Sequence, residues 1–407
     1  MRFSQRTNWN TEESDLALAY RVRREAGLPI ADLTASNPTR CGFTYPHSVL
    51  DALANPQALD YDPRPKGLLA ARRAVCDYYL GHNVILDPEQ IVLASSTSEA
   101  YSFLFRLLCE PGSEILVLVP GYPLFDFLAG LDDVVLKAVP LVYDQGWQID
   151  PEAIRRAISP RTRAIVVVHP NNPTGHFTKA WEAVELAAIC RESDLSLIVD
   201  EVFLDYGTTE KKGAREQGSK IHGRGAGSFA AGLEGVPVFV VSGLSKIAGL
   251  PQMKVAWIVA TGPDRLRALD RLEVIADTFL SVNTPVQWAL PGWLAAASTI
   301  QEQIQSRTAT NLAFLDGQLS SIPEVQRLAV EGGWYTTLRI PALEPDARTV
   351  IALLERGISV NPGYFFGMPV SGWLVVSLLA PGLEFSHGVT GLINYFRKDQ
   401  ASNTKAG

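Results

Sequence analysis

Cysteine is scarce in this chain. Its 407 residues hold four, Cys41, Cys76, Cys109 and Cys190, scattered and without C-x-x-C spacing. That excludes a disulfide framework and a cysteine-built zinc site, and it implies the reduced thiols of a cytoplasmic protein. Positive charge is also short. Thirty-six Lys and Arg stand against 43 Asp and Glu, a net charge of −7. Nucleic-acid binding calls for a basic patch, so such a partner is not expected. No apolar run approaches the ~18 residues of a membrane span, so no membrane partner is expected either. The start, Met1 to Trp9, holds no apolar segment of the secretory type. With 47% hydrophobic and 19% charged residues, the chain can bury a large core, in two or three domains.

Strand-like and helix-like segments alternate from about residue 90. Ile91–Ala94, Ile115–Val119, Ala164–Val168, Leu195–Val199 and Val238–Val241 read as strands. Ser98–Cys109, Leu124–Leu131 and Trp181–Arg191 read as helices between them. Continuous apolar runs such as Ala164-Ile165-Val166-Val167-Val168 suit strands covered on both faces. The alternation predicts a mostly parallel sheet in an α/β domain. Ahead of it lie an amphipathic helix over 14–26 with Ser14 as its cap, a short strand from Asp32, and a helix over 68–80. The rhythm changes after about 286. A helix over 286–319, strands at 335–340 and 374–379, and helices near 347–356 and 386–397 predict a smaller α+β domain. The expected division is 45–285 for the large domain, with 1–44 and 286–407 forming the small one. Polar residues over 207–230 predict a long exposed loop, a candidate to close over a site. The end from Ala401 is expected to fray.

Three residues stand at or just past strand ends. Lys246 closes Ser242-Gly243-Leu244-Ser245-Lys246, after the run Val238–Val241. Burial lowers an amine's pKa and favours nucleophilic or Schiff-base chemistry. Asp200 follows Ser196-Leu197-Ile198-Val199, at the carboxyl end of a strand, where ligands of α/β sheets bind. Asn172 sits in the turn Pro170-Asn171-Asn172-Pro173-Thr174-Gly175. Alone, each has a plain reading as a solvated lysine, a helix-capping aspartate or a turn asparagine. Together they are the parts needed to hold and use pyridoxal phosphate. The lysine forms the Schiff base, the aspartate keeps the pyridine nitrogen protonated, and the asparagine donates to the ring hydroxyl. Glu201 is read as structural.

Other residues fit the same cofactor. Ser95-Ser96-Thr97-Ser98-Glu99 opens a helix, whose free N–H groups suit a phosphate. Ser96-x-x-Glu99 is also a capping box, and the two readings are compatible. Ser245 and Lys254 are candidates to complete the phosphate cup. Tyr122, in Pro120-Gly121-Tyr122-Pro123, is a candidate to stack on the pyridine ring, with ordinary core packing as the alternative.

On these motifs the chain resembles the fold-type I, class I/II aminotransferases, from Asp32 to about Phe396. The resemblance implies a mostly parallel seven-stranded sheet with helices on both faces, plus the smaller α+β domain. It implies a pyridoxal 5′-phosphate enzyme that moves an amino group between an amino acid, or a related amine, and a 2-oxo acid. The family's roles then fall on Lys246, Asp200, Asn172, Tyr122, Ser96 and Thr97. The resemblance also implies a homodimer, with Tyr61 of Tyr61-Asp62-Pro63-Arg64-Pro65-Lys66-Gly67 reaching the neighbouring subunit's phosphate. A lyase, a decarboxylase or a cyclase would share these residues and is the alternative. A transcription regulator built on this fold is disfavoured by the negative charge.

Four positions depart from the family pattern. Phe203 stands where a tyrosine usually reaches the ring hydroxyl, with Tyr206 as a potential substitute. Gly243 stands for a serine, with Ser242 beside it. Lys254 stands for an arginine and keeps the charge without the fork. Val375, in the strand Gly372-Trp373-Leu374-Val375-Val376-Ser377, stands for the arginine that grips the substrate carboxylate. Arg40, with Asn37 in the same loop, is the candidate replacement, and a solvent-facing arginine is the plain reading.

Overall fold

The structure is a computed structural model that describes residues 1–207, 225–280 and 282–403, with side chains as far as Arg397. Seven strands make the large sheet: β1 (Ile91–Ala94), β2 (Glu114–Val119), β3 (Val135–Pro140), β4 (Thr162–Val168), β5 (Ser196–Asp200), β6 (Val238–Gly243) and β7 (Ala256–Thr261). Their order across the sheet is β1-β7-β6-β5-β4-β2-β3. β7 runs antiparallel to both neighbours, and the other pairs are parallel. Successive side chains on a strand face opposite ways, which is why these runs are apolar at nearly every position. Leu93, Leu116, Ile165, Leu197 and Val240 pack on one face, against helices Leu69–Leu80 and Ala180–Ser193. Val92, Ile115, Val166, Ile198 and Val241 pack on the other, against Thr97–Leu108 and Arg265–Phe279.

A smaller antiparallel sheet follows, with β8 (Gln326–Arg327), β9 (Tyr335–Arg339), β10 (Asn361–Pro362) and β11 (Trp373–Ser377) in the order β8-β9-β11-β10. One face carries Leu338, Leu374 and Val376 onto helices that include Phe385 and Leu392. The opposite face carries Tyr335 and Val375 into a cluster with Phe203, Tyr206 and Trp334. That cluster joins the small sheet to the strand ends of the large one.

Three expectations differ from the structure. The single helix over 286–319 is two helices, Thr284–Ala295 and Ala297–Leu319. The first packs on Leu69–Leu80 and the second on Gly382–Asn403, directions that one straight helix cannot serve. The segment over 207–230 is not exposed throughout. Residues 208–224 lie outside the described residues, but Ser228, Phe229 and Ala230 are buried. The chain is helical through Asn403, past the point where fraying was expected, and 404–407 lie outside the described residues. Among the described residues, no helix is long and apolar enough to cross a membrane.

Candidate active site

The carboxyl ends of β4, β5 and β6 lie side by side, and they bring Asn172, Asp200 and Lys246 to one edge of the sheet. Asp200 is the last residue of β5 and is buried. Its Oδ1 accepts from the Val202 amide at 3.0 Å, and its Oδ2 from the Tyr101 hydroxyl at 3.1 Å. Burial pushes this carboxyl up to about 6, against the pull of those two bonds and of Lys246. Lys246 lies in the one-turn helix Leu244–Ile247, between β6 and β7. Burial brings its amine down to about 8, and the charge of Asp200 works the other way. Each group therefore acts on the other. Tyr122 belongs to the same cluster, its phenol raised by burial and then by the Asp200 charge.

The turn before Asn172 explains why that residue is free. Asn171 takes the structural work: its Oδ1 accepts from the Thr174 hydroxyl at 2.7 Å, and its carbonyl from the Gly175 amide at 2.8 Å. Asn172 keeps a buried Oδ1 with no partner. A buried polar atom without a partner is costly unless something binds it.

At the start of helix Thr97–Leu108 the Ser96 hydroxyl accepts from the Glu99 amide at 3.1 Å. The Glu99 carboxylate reaches back one residue further than a capping box requires, to the Ser95 amide at 2.7 Å. The first amides of a helix have no intrahelical acceptor, so this end remains open to an anion. Lys254, exposed and in the left-handed region at φ 51°, follows on the Lys246 loop, and Ser245 is half-buried.

The four departures now have a structural setting. Phe203 is buried, with its ring 5.6 Å from the Lys246 Nζ. Tyr206 does not replace the missing hydroxyl, because its own donates to the Lys246 carbonyl at 2.6 Å. Gly243 is a matter of space: a Cβ there would lie 2.9 Å from the Cβ of Ala256 on β7. Ser242 shares the face of Val240, two residues before it, and its buried hydroxyl has no partner. Val375 is fully buried, opposite Thr337 on β9 and Asn361 on β10.

The remaining candidates stand apart from this cluster. Tyr61 is 79% exposed. The Asn37 side chain is turned onto its own loop, accepting from the Thr39 amide at 3.1 Å and the Thr39 hydroxyl at 2.8 Å. Arg40 is exposed. Tyr101 and Trp334 escaped the sequence reading. Tyr101 looks like one more core aromatic of an amphipathic helix, and Trp334 lies 88 residues beyond Lys246, just before a strand of the other sheet.

Glu201, beside Asp200, is structural. It accepts from the Phe229 amide at 2.6 Å and the Ser228 hydroxyl at 2.8 Å, and so pins the end of the 207–230 segment. Burial raises its carboxyl to about 7 from 4.5. A raised acid binds more protons in the folded than in the unfolded state across that window, so its contribution to stability is lost as pH rises through it. Glu201→Gln is expected to flatten the fall in melting temperature between pH 4.5 and 7, read by thermal denaturation at a series of pH values. A slope equal to that of the wild type would contradict the burial argument.

Residues 40–383 match the family model described as aminotransferase class I and II. The chain belongs to this family. Members of the family depend on pyridoxal 5′-phosphate and act on amino and oxo acids. This aminotransferase is 28% identical over 367 residues to the glutamate-pyruvate aminotransferase AlaA of Escherichia coli, covering 85% of each chain. It is 25% identical over 394 residues to an alanine aminotransferase of Mycobacterium tuberculosis, covering 92% of this chain and 88% of that one. The fold matches that of an alanine aminotransferase from Pyrococcus furiosus with a TM-score of 0.85, at 23% identity, over 98% of this chain and 100% of that one. The fold-type I architecture and the transaminase function expected from the motifs both stand.

Proposed function

We propose that this aminotransferase binds pyridoxal 5′-phosphate through Lys246 and moves an amino group from an amino acid, or a related amine, to a 2-oxo acid. The observation that carries the reading is that neighbouring strand ends place the half-buried Lys246 near the buried Asp200, whose charge acts on its amine. The residues fit the cofactor: the partnerless Asn172 side-chain amide oxygen and the open helix start at Thr97 are features that a protein alone leaves unsatisfied, and the buried Asp200 carboxylate is fixed beside them by Tyr101 and Val202. When bound, the cofactor supplies the electron sink.

The protein's own residues do the rest. Asp200, fixed by Tyr101 and Val202, keeps a proton on the pyridine nitrogen. The amide of Asn172 would donate to the ring hydroxyl, and Tyr122 would cover a ring face. The helix-start amides, Ser96, Thr97, Ser245 and Lys254 hold the phosphate. Lys246 Nζ would take the proton from the substrate Cα and hand it to the cofactor carbon that receives the amino group. The exposure of Tyr61 supports a homodimer in which this side chain serves the neighbouring site. The four free cysteines support a cytoplasmic enzyme. Residues 45–285 form the cofactor-binding unit in this reading, with 1–44 and 286–407 as the smaller one.

With Val375 sealed in the core, the substrate carboxylate needs another cation, and exposed Arg40 is the proposed partner. The test is a panel of amine donors, scored by conversion of the cofactor to its amine form and by 2-oxo acid released. Release of ammonia with no 2-oxo acid from the donor's intact skeleton would contradict transamination. Arg40→Ala is expected to raise KM for α-amino acids ~10- to 100-fold with a smaller change in kcat, the effect of one lost charged hydrogen bond. An unchanged KM would remove Arg40 from the site.

A further inference from the structure

The Lys246 amine lies among aromatic rings. Its Nζ is 4.9 Å from the centroid of a Trp334 ring and 5.6 Å from that of Phe203. Trp334 is fully buried and meets two neighbours edge to face, Phe203 at 5.2 Å and 80° and Tyr206 at 5.1 Å and 74°. Tyr206 in turn holds the carbonyl of Lys246. One aromatic cluster thus grips both the backbone and the amine of the same lysine.

Trp334 reaches that amine from the position just before β9 of the small sheet, and the segment that carries it is stitched to the large one. The Glu331 amide donates to the Gly175 carbonyl at 3.2 Å, in the turn that holds Asn172. Gly332 bridges to Gly207, and the Gly333 amide donates to the Tyr206 carbonyl at 2.8 Å. The Glu331 carboxylate pairs with Lys179 and accepts from the Phe177 amide at 2.9 Å. Gly332 has no room for a side chain, since a Cβ would lie 2.6 Å from the Phe177 ring and 2.8 Å from the Tyr206 carbonyl. The Leu378 amide donates to the Trp334 carbonyl at 2.8 Å, so the far side is fixed as well.

We propose that Trp334 is a positioning residue, whose ring face holds the Lys246 amine in place and favours its charged form. The proposal rests on Lys246 being the reacting amine. An aromatic face attracts a cation through its quadrupole, and the attraction is stronger where water is excluded. The charged group acting on Lys246 is Asp200. The nearby phenols of Tyr122 and Tyr206 are raised by burial and stay neutral. Desolvation and the ring therefore oppose each other. A lysine that must both take and return a proton is served by that balance, because neither form is favoured too far.

The sign of one measurement separates this role from simple packing. Replacing the indole by a smaller aliphatic side chain loosens the cluster and admits water, and hydration alone would raise the amine's pKa toward its solution value. Loss of the ring's attraction lowers it. The experiment measures acetylation of Lys246 by acetic anhydride against pH, read by peptide mass spectrometry on the full chain freed of cofactor with hydroxylamine followed by dialysis. In Trp334→Leu the apparent pKa is expected to fall by ~0.4–1.5 units from about 8, a ~2- to 8-fold larger neutral fraction at pH 7. Trp334→Phe keeps a ring and is expected to fall by less. An unchanged or raised pKa in Trp334→Leu overturns the proposal. If that variant does not fold, Trp334→Phe and Phe203→Leu are read by the same sign. The wild-type chain is also labelled with pyridoxal phosphate present. Failure of the cofactor to protect Lys246 would overturn the cofactor reading itself, whatever the tryptophan does.

Discussion

Lys246→Ala is expected to reduce turnover by ~10⁴-fold or more while leaving the protein folded. The variant loses the proposed nucleophile and proton carrier together, and each of these roles is worth orders of magnitude. The buried amine is held below its solution pKa at about 8, so the folded state resists its charge. Removing it takes away that penalty, and the melting temperature of the cofactor-free protein should not fall at neutral pH. Steady-state rates with the best donor of the panel, a cofactor absorbance spectrum and a thermal melt check the three parts. Wild-type turnover in this variant would place the reacting amine elsewhere.

Asp200→Asn is expected to cost ~10²- to 10³-fold in turnover, the scale of one preorganised electrostatic partner lost from a buried site. The same change is expected to stabilise the cofactor-free protein at neutral and alkaline pH. The folded carboxyl titrates near 6, above its ordinary 3.8. Between those values the folded state binds more protons than the unfolded, so stability falls as pH rises through the window. Asparagine makes the same size of contact and removes that loss. The cofactor-free variant should therefore melt higher than wild type at pH 8 and lose its advantage near pH 4. Stability with activity retained would show that position 200 does not act on the reaction. A lower melting temperature at pH 8 would show that the hydrogen bonds of Asp200 outweigh its desolvation.

Legibility followed local signal. The strands of the sheet interior, such as Ile91–Ala94 and Ser196–Asp200, were readable because burial on both faces leaves a continuous apolar run. β3 was not read, since it is an edge strand whose side chains are mostly exposed or half-exposed, and its Lys137 and Pro140 break any run. β7 follows the Lys246 loop, whose Gly249 and Pro251 mark a turn without saying which way the next strand runs. Helix Arg265–Phe279 was missed although its apolar positions recur at helical spacing.

The site divides the same way. Lys246, Asp200 and Asn172 carry their chemistry in local motifs, each beside a strand end. Tyr101 and Trp334 carry none, because a core aromatic and one that meets an amine look alike until the chain is folded. Tyr206 illustrates the converse. Its residue type suited a replacement for the hydroxyl absent at Phe203, and only geometry shows that its own hydroxyl is committed to the Lys246 carbonyl.

The reversed strand β7 has a mechanical consequence. Gly243 and Ala256 face each other across β6 and β7, so the stretch that bears Lys246 is tethered to the sheet at its entry and its exit. With the loop held at both ends and the Lys246 carbonyl held by Tyr206, the amine moves chiefly by turning the lysine's own methylene bonds. Those rotations belong to picoseconds and nanoseconds, far faster than the microseconds to milliseconds of a swinging loop. Movement of the amine on that timescale would not hold back any slower step.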